Sequence, residues 1–138
     1  MLVIRPARTS DVKAIRELVD SYAAPGQMLA KETVTLFESV QEFTVAVEKS
    51  LHKQGIGHQI LQRIIERARE IGVSRIFCLT FQTEFFGKHG FEEIQGTPVD
   101  ADVYAQLLHS YDAGTAEFLD LESVKPNTLG NTRMLLAL

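Results

Sequence analysis

Cysteine occurs once, at Cys78, and tryptophan not at all. A single thiol closes no internal disulfide and builds no thiolate cluster for a metal, which fits a reducing compartment. The histidines His52, His58, His89 and His109 show no metal-ligand spacing, so no metal is expected. No run of apolar residues is long enough to read as a membrane span. Residues 1–4 are followed at once by Arg5 and Pro6, which leaves no secretory leader to expect. Basic runs are missing as well: 14 Lys and Arg stand against 18 Asp and Glu, a net charge of -4. That balance argues against a nucleic-acid or anionic-membrane surface. No stretch is dominated by Gly, Pro, Ser or Gln, so the chain is expected to fold. The expectation is a soluble, cytoplasmic protein with small-molecule partners.

With 138 residues, 45% hydrophobic and 23% charged, the chain suits one domain over 1–138. Residues 1–4 read as a strand, and Thr9 or Ser10 as the cap of a helix on Val12, Ile15, Leu18, Val19 and Tyr22. A second helix should run through Leu36, Phe37 and Val40, and residues 44–47 form a β-prone run. The strongest helical pattern follows: Ile56, Ile60, Leu61, Ile64, Ile65, Ala68 and Ile71 share one face, and Gly72 ends it. Residues 74–80 read as an apolar strand, which makes a βαβ unit. Beyond it are expected a short helix over residues 84–89, a strand over 91–94 and a helix starting at Pro98 and Asp100. Two final strands, 117–121 and 134–138, flank a polar turn at 125–131.

Between strand and long helix lies Lys53-Gln54-Gly55-Ile56-Gly57-His58. The first amides of a helix lack intrahelical acceptors and carry its positive end, so they can chelate a diphosphate; glycine lets the backbone approach the oxygens. Lys53, His52 and His58 would add positive potential. The third glycine of a dinucleotide fingerprint is missing, and no Gly-Lys-Ser/Thr follows as in a Walker loop. By itself this turn leaves two readings open, a phosphate nest and a plain tight bend. His89, beside Gly90, reads as a partner of helix-end carbonyls, Cys78 as a small buried hydrophobe, and Phe81, Phe85, Phe86 and Phe91 as core.

Gly55-Ile56-Gly57 behind Thr44-Val45-Ala46-Val47, together with Glu84-Phe85-Phe86-Gly87-Lys88-His89-Gly90-Phe91, resembles the signature of the GNAT-type N-acetyltransferases. Arg5-Pro6-Ala7-Arg8-Thr9-Ser10-Asp11-Val12, Glu117-Phe118-Leu119-Asp120-Leu121 and Asn131-Thr132-Arg133-Met134-Leu135-Leu136 are similar to the short single-domain N-acetylglutamate synthases of actinobacteria, over almost the whole chain. The resemblance implies an α/β fold with a mixed central sheet flanked by helices, and acetyl-CoA as co-substrate. It implies transfer of acetyl to the α-amine of glutamate, a step of arginine biosynthesis. Gln54, Gly55, Ile56, Gly57 and His58 would hold the diphosphate, and Val45 and Val47 would lie on the strand that pairs with the pantetheine arm. Lys31, Thr132 and Arg133 would form the glutamate pocket, where two carboxylates need charged partners. The apolar end Leu135-Leu136-Ala137-Leu138 calls for cover, which a homodimer would supply.

The chain departs from the family twice. Relatives carry about thirty further residues between the positions of Phe43 and Thr44, with strands two and three and an acidic group on the base side; their absence would leave the first strand unpaired. The position of a tyrosine often used as general acid holds Phe86. The resemblance therefore names no general base or acid here. A catalytically weakened CoA-binding or sensor module, and an acetyltransferase for another small amine, remain as alternatives.

Overall fold

The first strand has a partner after all. In the computed structural model, which describes residues 2–25, 31–47, 55–121 and 130–138, β1 (Val3–Pro6) pairs antiparallel with β2 (Thr44–Val47). The register is Val3↔Val47, Ile4↔Ala46, Arg5↔Val45 and Pro6↔Thr44. Ala7 extends the ladder by donating its N–H to the Phe43 carbonyl at 2.8 Å. The expected orphan strand is thereby corrected: β1 seats directly on the strand that leads to the glycine turn, and its backbone groups are satisfied there.

Contacts divide the chain into two compact units, one drawing on Met1–Asp20, Lys31–Ile76 and Leu138, the other on Ser21–Ala30 and Phe77–Ala137. In the first, a 3-10 turn (Thr9–Asp11) leads into α1 (Val12–Ala23). Asp11 closes this start, rather than Thr9 or Ser10. Its carboxylate accepts the Arg8 N–H at 2.7 Å and both Arg5 Nη groups at 2.7 and 3.0 Å; a charged two-oxygen acceptor serves all three donors at once, which a hydroxyl cannot. Val12, Ile15 and Val19 are buried with Ala7 and Leu36, and Val40, Phe43 and Val45 pack against them. Leu18 and Tyr22, expected on the same stripe, are exposed at its margins. Leu36 comes from α2 (Thr33–Glu38), which a second 3-10 turn (Val40–Glu42) follows.

The helix after the glycine turn, α3 (Ile56–Glu70), buries Leu61, Ile65 and Ala68, a spacing of four and three residues that keeps one face inward. Ile64 and Ile71 were expected there too and are exposed. Gly72, at φ 81°, ends the helix with paired bonds, Val73 N–H to Ala68 carbonyl at 2.9 Å and Gly72 N–H to Arg69 carbonyl at 3.1 Å. This is the glycine-terminated helix end that the sequence suggests.

The second sheet has the strand order β3-β5-β4, from β3 (Arg75–Thr80), β4 (Glu92–Glu93) and β5 (Thr132–Ala137). β4 runs antiparallel to β5, with Glu92 opposite Leu135 and Glu93 opposite Met134. β2 and β3 therefore belong to different sheets, and the expected single-sheet βαβ crossover is corrected: β2 spends its ladder on β1, and β3 on β5. The α/β class holds, with the sheet in two pieces. Phe91, Met134 and Leu136 are buried; α4 (Thr83–Gly87) has Lys88 as its C-cap rather than the expected Gly90, which takes φ 89° in the turn beyond, where an added Cβ would come within 3.2 Å of Leu136 Cδ1.

A strand was expected over residues 117–121. The structure instead has α5 (Ala101–Leu107) and then α6 (Ala113–Phe118), each opened by an aspartate. Asp100 accepts from Val103 N–H at 2.9 Å and Asp112 from Thr115 N–H at 2.8 Å. Asp120 takes φ 60° past the end of α6, and Leu121 N–H returns to the Ala116 carbonyl at 3.1 Å. The short apolar run Phe118, Leu119 and Leu121 that suggested a strand is overridden by the Asp112 cap and this closing turn. Most of the polar turn over 125–131 lies outside the described residues.

Candidate functional site

The start of α3 has the conformation that the nest requires. Gly55 is its N-cap, at φ 75° and ψ 14°, in the left-handed region that favours glycine. The first helical bond is Gln59 N–H to Gly55 carbonyl at 3.0 Å. Among the described residues, the N–H groups of Ile56 and Gly57 make no hydrogen bond. A Cβ built on Gly55 meets no atom of the described residues within 4 Å. The positive end of the helix thus carries two amides with no acceptor among the described residues, beside a backbone without a side chain. Gln54, Lys53 and His52 lie outside the described residues.

β2 adds a second feature. Among the described residues it has β1 on one edge and no strand on the other. Val45 and Val47 lie opposite Arg5 and Val3 of β1. A cavity of about 560 Å³ in the same unit lies elsewhere: Arg5, Phe43, Arg63, Ile64, Arg67 and Ile71 are among its lining residues, and the glycine turn is not. Its guanidiniums are already engaged, Arg5 with Asp11, Arg63 with Glu66 and Glu70, and Arg67 with Glu70.

In the second unit, His89 Nδ1 donates to the Phe85 carbonyl at 2.8 Å, in keeping with a helix-end role. Phe86 meets Phe85 and Phe91 edge-to-face, each at 5.2 Å between centroids, so the position of the family's tyrosine is a packing position here. Cys78 is half-buried, and burial pushes its thiol up to about 11, which keeps it protonated and unreactive near neutrality. Burial also raises the Glu117 carboxyl above its ordinary value, while the nearby Arg133 charge pulls it down.

The three expected pocket residues are not equivalent. Lys31 stands just before α2 in the first unit, whereas Thr132 and Arg133 open β5 in the second. Consecutive strand residues face opposite sides, so Thr132 shares a face with buried Met134 and Leu136, and Arg133 does not. Arg133 is spent on protein acceptors: Nε on the Gly96 carbonyl at 2.9 Å, Nη1 on the Glu117 carbonyl at 3.1 Å, and Nη2 on the Phe118 carbonyl and on Thr97 Oγ1. A free guanidinium offered to glutamate is not what the geometry provides. One group that sequence reasoning missed lies beside this pair: Asn131 Oδ1 is buried with no hydrogen-bond partner among the described residues, and no periodicity or motif marks it.

Residues 22–93 match the model of the acetyltransferase (GNAT) domain. The chain belongs to the GNAT acetyltransferase family. It is an acetyltransferase that uses acetyl-CoA as donor. It is 48% identical to the amino-acid acetyltransferase of Mycobacterium tuberculosis, covering 99% of this chain and 94% of that protein. That alignment runs over 165 positions, more than the 138 residues of this chain, so the relative carries residues that this one lacks. The crystal structure of Rv2747 from Mycobacterium tuberculosis, in complex with CoA and NLQ, matches with a TM-score of 0.93 at 47% identity, over 99% of each chain. The N-acetylglutamate synthase of Neisseria gonorrhoeae, complexed with coenzyme A and N-acetyl-glutamate, shares the fold at a TM-score of 0.71 and 19% identity, over all of this chain and 35% of that one. Among the described residues, no group of His, Cys, Asp or Glu is arranged to hold a metal, and no helix is long and apolar enough to cross a membrane.

Proposed function

We propose that this acetyltransferase moves the acetyl group of acetyl-CoA to the α-amine of glutamate, and so acts as an N-acetylglutamate synthase at the head of arginine biosynthesis in the cytoplasm. The observation that carries the donor half is the start of α3, where Gly55 turns left-handed and the Ile56 and Gly57 amides are left for phosphate oxygens. For the acceptor half, support comes from the relative named an amino-acid acetyltransferase and from the shared fold of a synthase holding N-acetyl-glutamate. Gly55, Ile56, Gly57 and His58, with Gln54, hold the diphosphate in this reading. The open edge of β2 at Val45 and Val47 takes the pantetheine arm. Lys31 and Thr132 contact the acceptor, and Arg133 enters only through the wall it holds. The whole chain acts as one domain, and a homodimer covers its apolar end.

In the transfer step the neutral amine nitrogen bonds to the acetyl carbon, the carbon–sulfur bond breaks, the CoA thiolate leaves, and the nitrogen gives up one further proton to water as the amide forms. The ammonium must first lose a proton, and each pH unit below its pKa costs about 1.4 kcal/mol. A second reading is a CoA-binding sensor with weakened catalysis. Phe86 favours it, because a phenyl ring packed between Phe85 and Phe91 brings no proton to the thiolate.

A thiol-release assay with acetyl-CoA and a panel of amines separates the readings. Turnover with glutamate well above that with glutamine or an unrelated amine is expected. Equal turnover with all of them would remove glutamate synthesis and keep the acetyltransferase; CoA binding without turnover would favour the sensor.

A further inference from the structure

The short helix α6 ends among side-chain donors that come from far along the chain. A helix leaves its last carbonyls without intrahelical partners, and a helix as short as Ala113–Phe118 has little stability of its own. Here those carbonyls are taken up one after another. Glu117 accepts from Asp120 N–H at 3.0 Å and from Arg133 Nη1 at 3.1 Å. Phe118 accepts from Arg133 Nη2 and from Thr97 Oγ1, the latter at 3.1 Å, and Leu119 from the Tyr104 hydroxyl at 3.4 Å. The same guanidinium reaches the Gly96 carbonyl at 2.9 Å and lies 4.9 Å above the Phe77 ring of β3. That ring in turn meets Phe118 edge-to-face at 4.9 Å. A cation also belongs at the negative end of a helix. Four of the five N–H donors of the fork are thus occupied.

We infer that Arg133 is a positioning residue and not an acceptor ligand: it ties the C-terminal end of α6 and the Gly96–Thr97 turn to β3 and β5, and so holds the strand that presents Thr132. The last clause rests on the acceptor pocket proposed above. Only a planar fork can do this. An ammonium on a flexible stem has three donors around one nitrogen and cannot span four acceptors lying on two separate segments.

The discriminating variant is Arg133→Lys, which keeps the charge that a carboxylate contact needs and loses the fork. Amide hydrogen exchange of Leu119, Asp120 and Leu121, whose N–H groups bond inside the α6 end, should accelerate at least about fivefold, with α3 unchanged. In turnover assays the acceptor KM should rise by a similar factor for dicarboxylic and monocarboxylic amino acids alike, while the acetyl-CoA KM stays put. Unchanged exchange, or a KM rise confined to the dicarboxylic acceptor, overturns the inference. Should Arg133→Lys not fold, Thr97→Val removes two of these bonds at nearly constant shape and must speed the same three amides; protection equal to the parent's overturns the inference as well. The exchange measurement needs no turnover, so a chain that acetylates no amine refutes the proposed function while the clamp stands or falls on exchange alone.

Discussion

Replacing Gly55 separates backbone strain from ligand access at the start of α3. Alanine at φ 75° and ψ 14° sits in the left-handed region, which costs an L-residue about 1–2 kcal/mol. The new Cβ meets no atom within 4 Å, so no steric cost adds to the strain. Gly55→Ala should therefore lower stability by about 1 kcal/mol, or roughly 3–5 °C in melting temperature for a chain of this size. Asparagine tolerates the same backbone far better, so Gly55→Asn should melt close to the parent. Both variants put a side chain into the open space beside the Ile56 and Gly57 amides. If the diphosphate sits there, both should bind CoA at least about tenfold more weakly, a loss of about 1.4 kcal/mol. Calorimetric titration with CoA, alongside melting curves taken without it, reads the two effects independently. A Gly55→Asn protein that keeps the parent's melting temperature and CoA affinity refutes the reasoning, because the space would then be no part of the ligand's path.

Leu36 is 1% exposed and its neighbour Phe37 48%; Leu36→Ala should cost about 2–5 kcal/mol in urea unfolding and Phe37→Ala about 0.5 kcal/mol or less, and comparable losses would misplace the core. The Asp11 carboxyl is held down at about 2, chiefly by the Arg5 guanidinium and then by the Arg8 N–H. A depressed carboxylate contributes stability that is complete above its unfolded pKa, near 4, and is lost as pH falls through about 2. Asp11→Asn should accordingly unfold more easily than the parent at pH 7, with the gap closing toward pH 2; a gap constant with pH would refute the ion pair. With its thiol near 11, Cys78 should react with iodoacetamide at pH 8 roughly two orders of magnitude more slowly in the native protein than in denaturant. Equal rates would mean that the thiol is not desolvated.

Several elements were legible from single segments. The strand Thr44–Val47 stands where its β-branched run suggests, α3 runs from the glycine turn to Gly72, and Leu61, Ile65 and Ala68 form its inner stripe. Each of these depends on neighbours within one or two turns of chain. The misreadings share an opposite origin. Ile64, Ile71 and Leu18 have the right period, yet exposure is decided by whether another element covers them. Residues 117–121 carry a short apolar run that reads as a strand, and an aspartate a few positions earlier starts a helix that ends at Phe118. Lys31, Thr132 and Arg133 could be singled out by resemblance, but what a side chain faces is a property of its surroundings.

Period and punctuation are local, and so the chain's own order of residues determined the glycine opening of α3 and the helix that follows it. The partners of polar groups were left to the tertiary structure. Arg133 meets carbonyls 37, 16 and 15 positions away, and β1 takes β2 as its neighbour across more than the whole of α1 and α2. A hydrogen bond is satisfied by whichever acceptor folding brings within 3 Å or so, and no pattern along one segment encodes that distance.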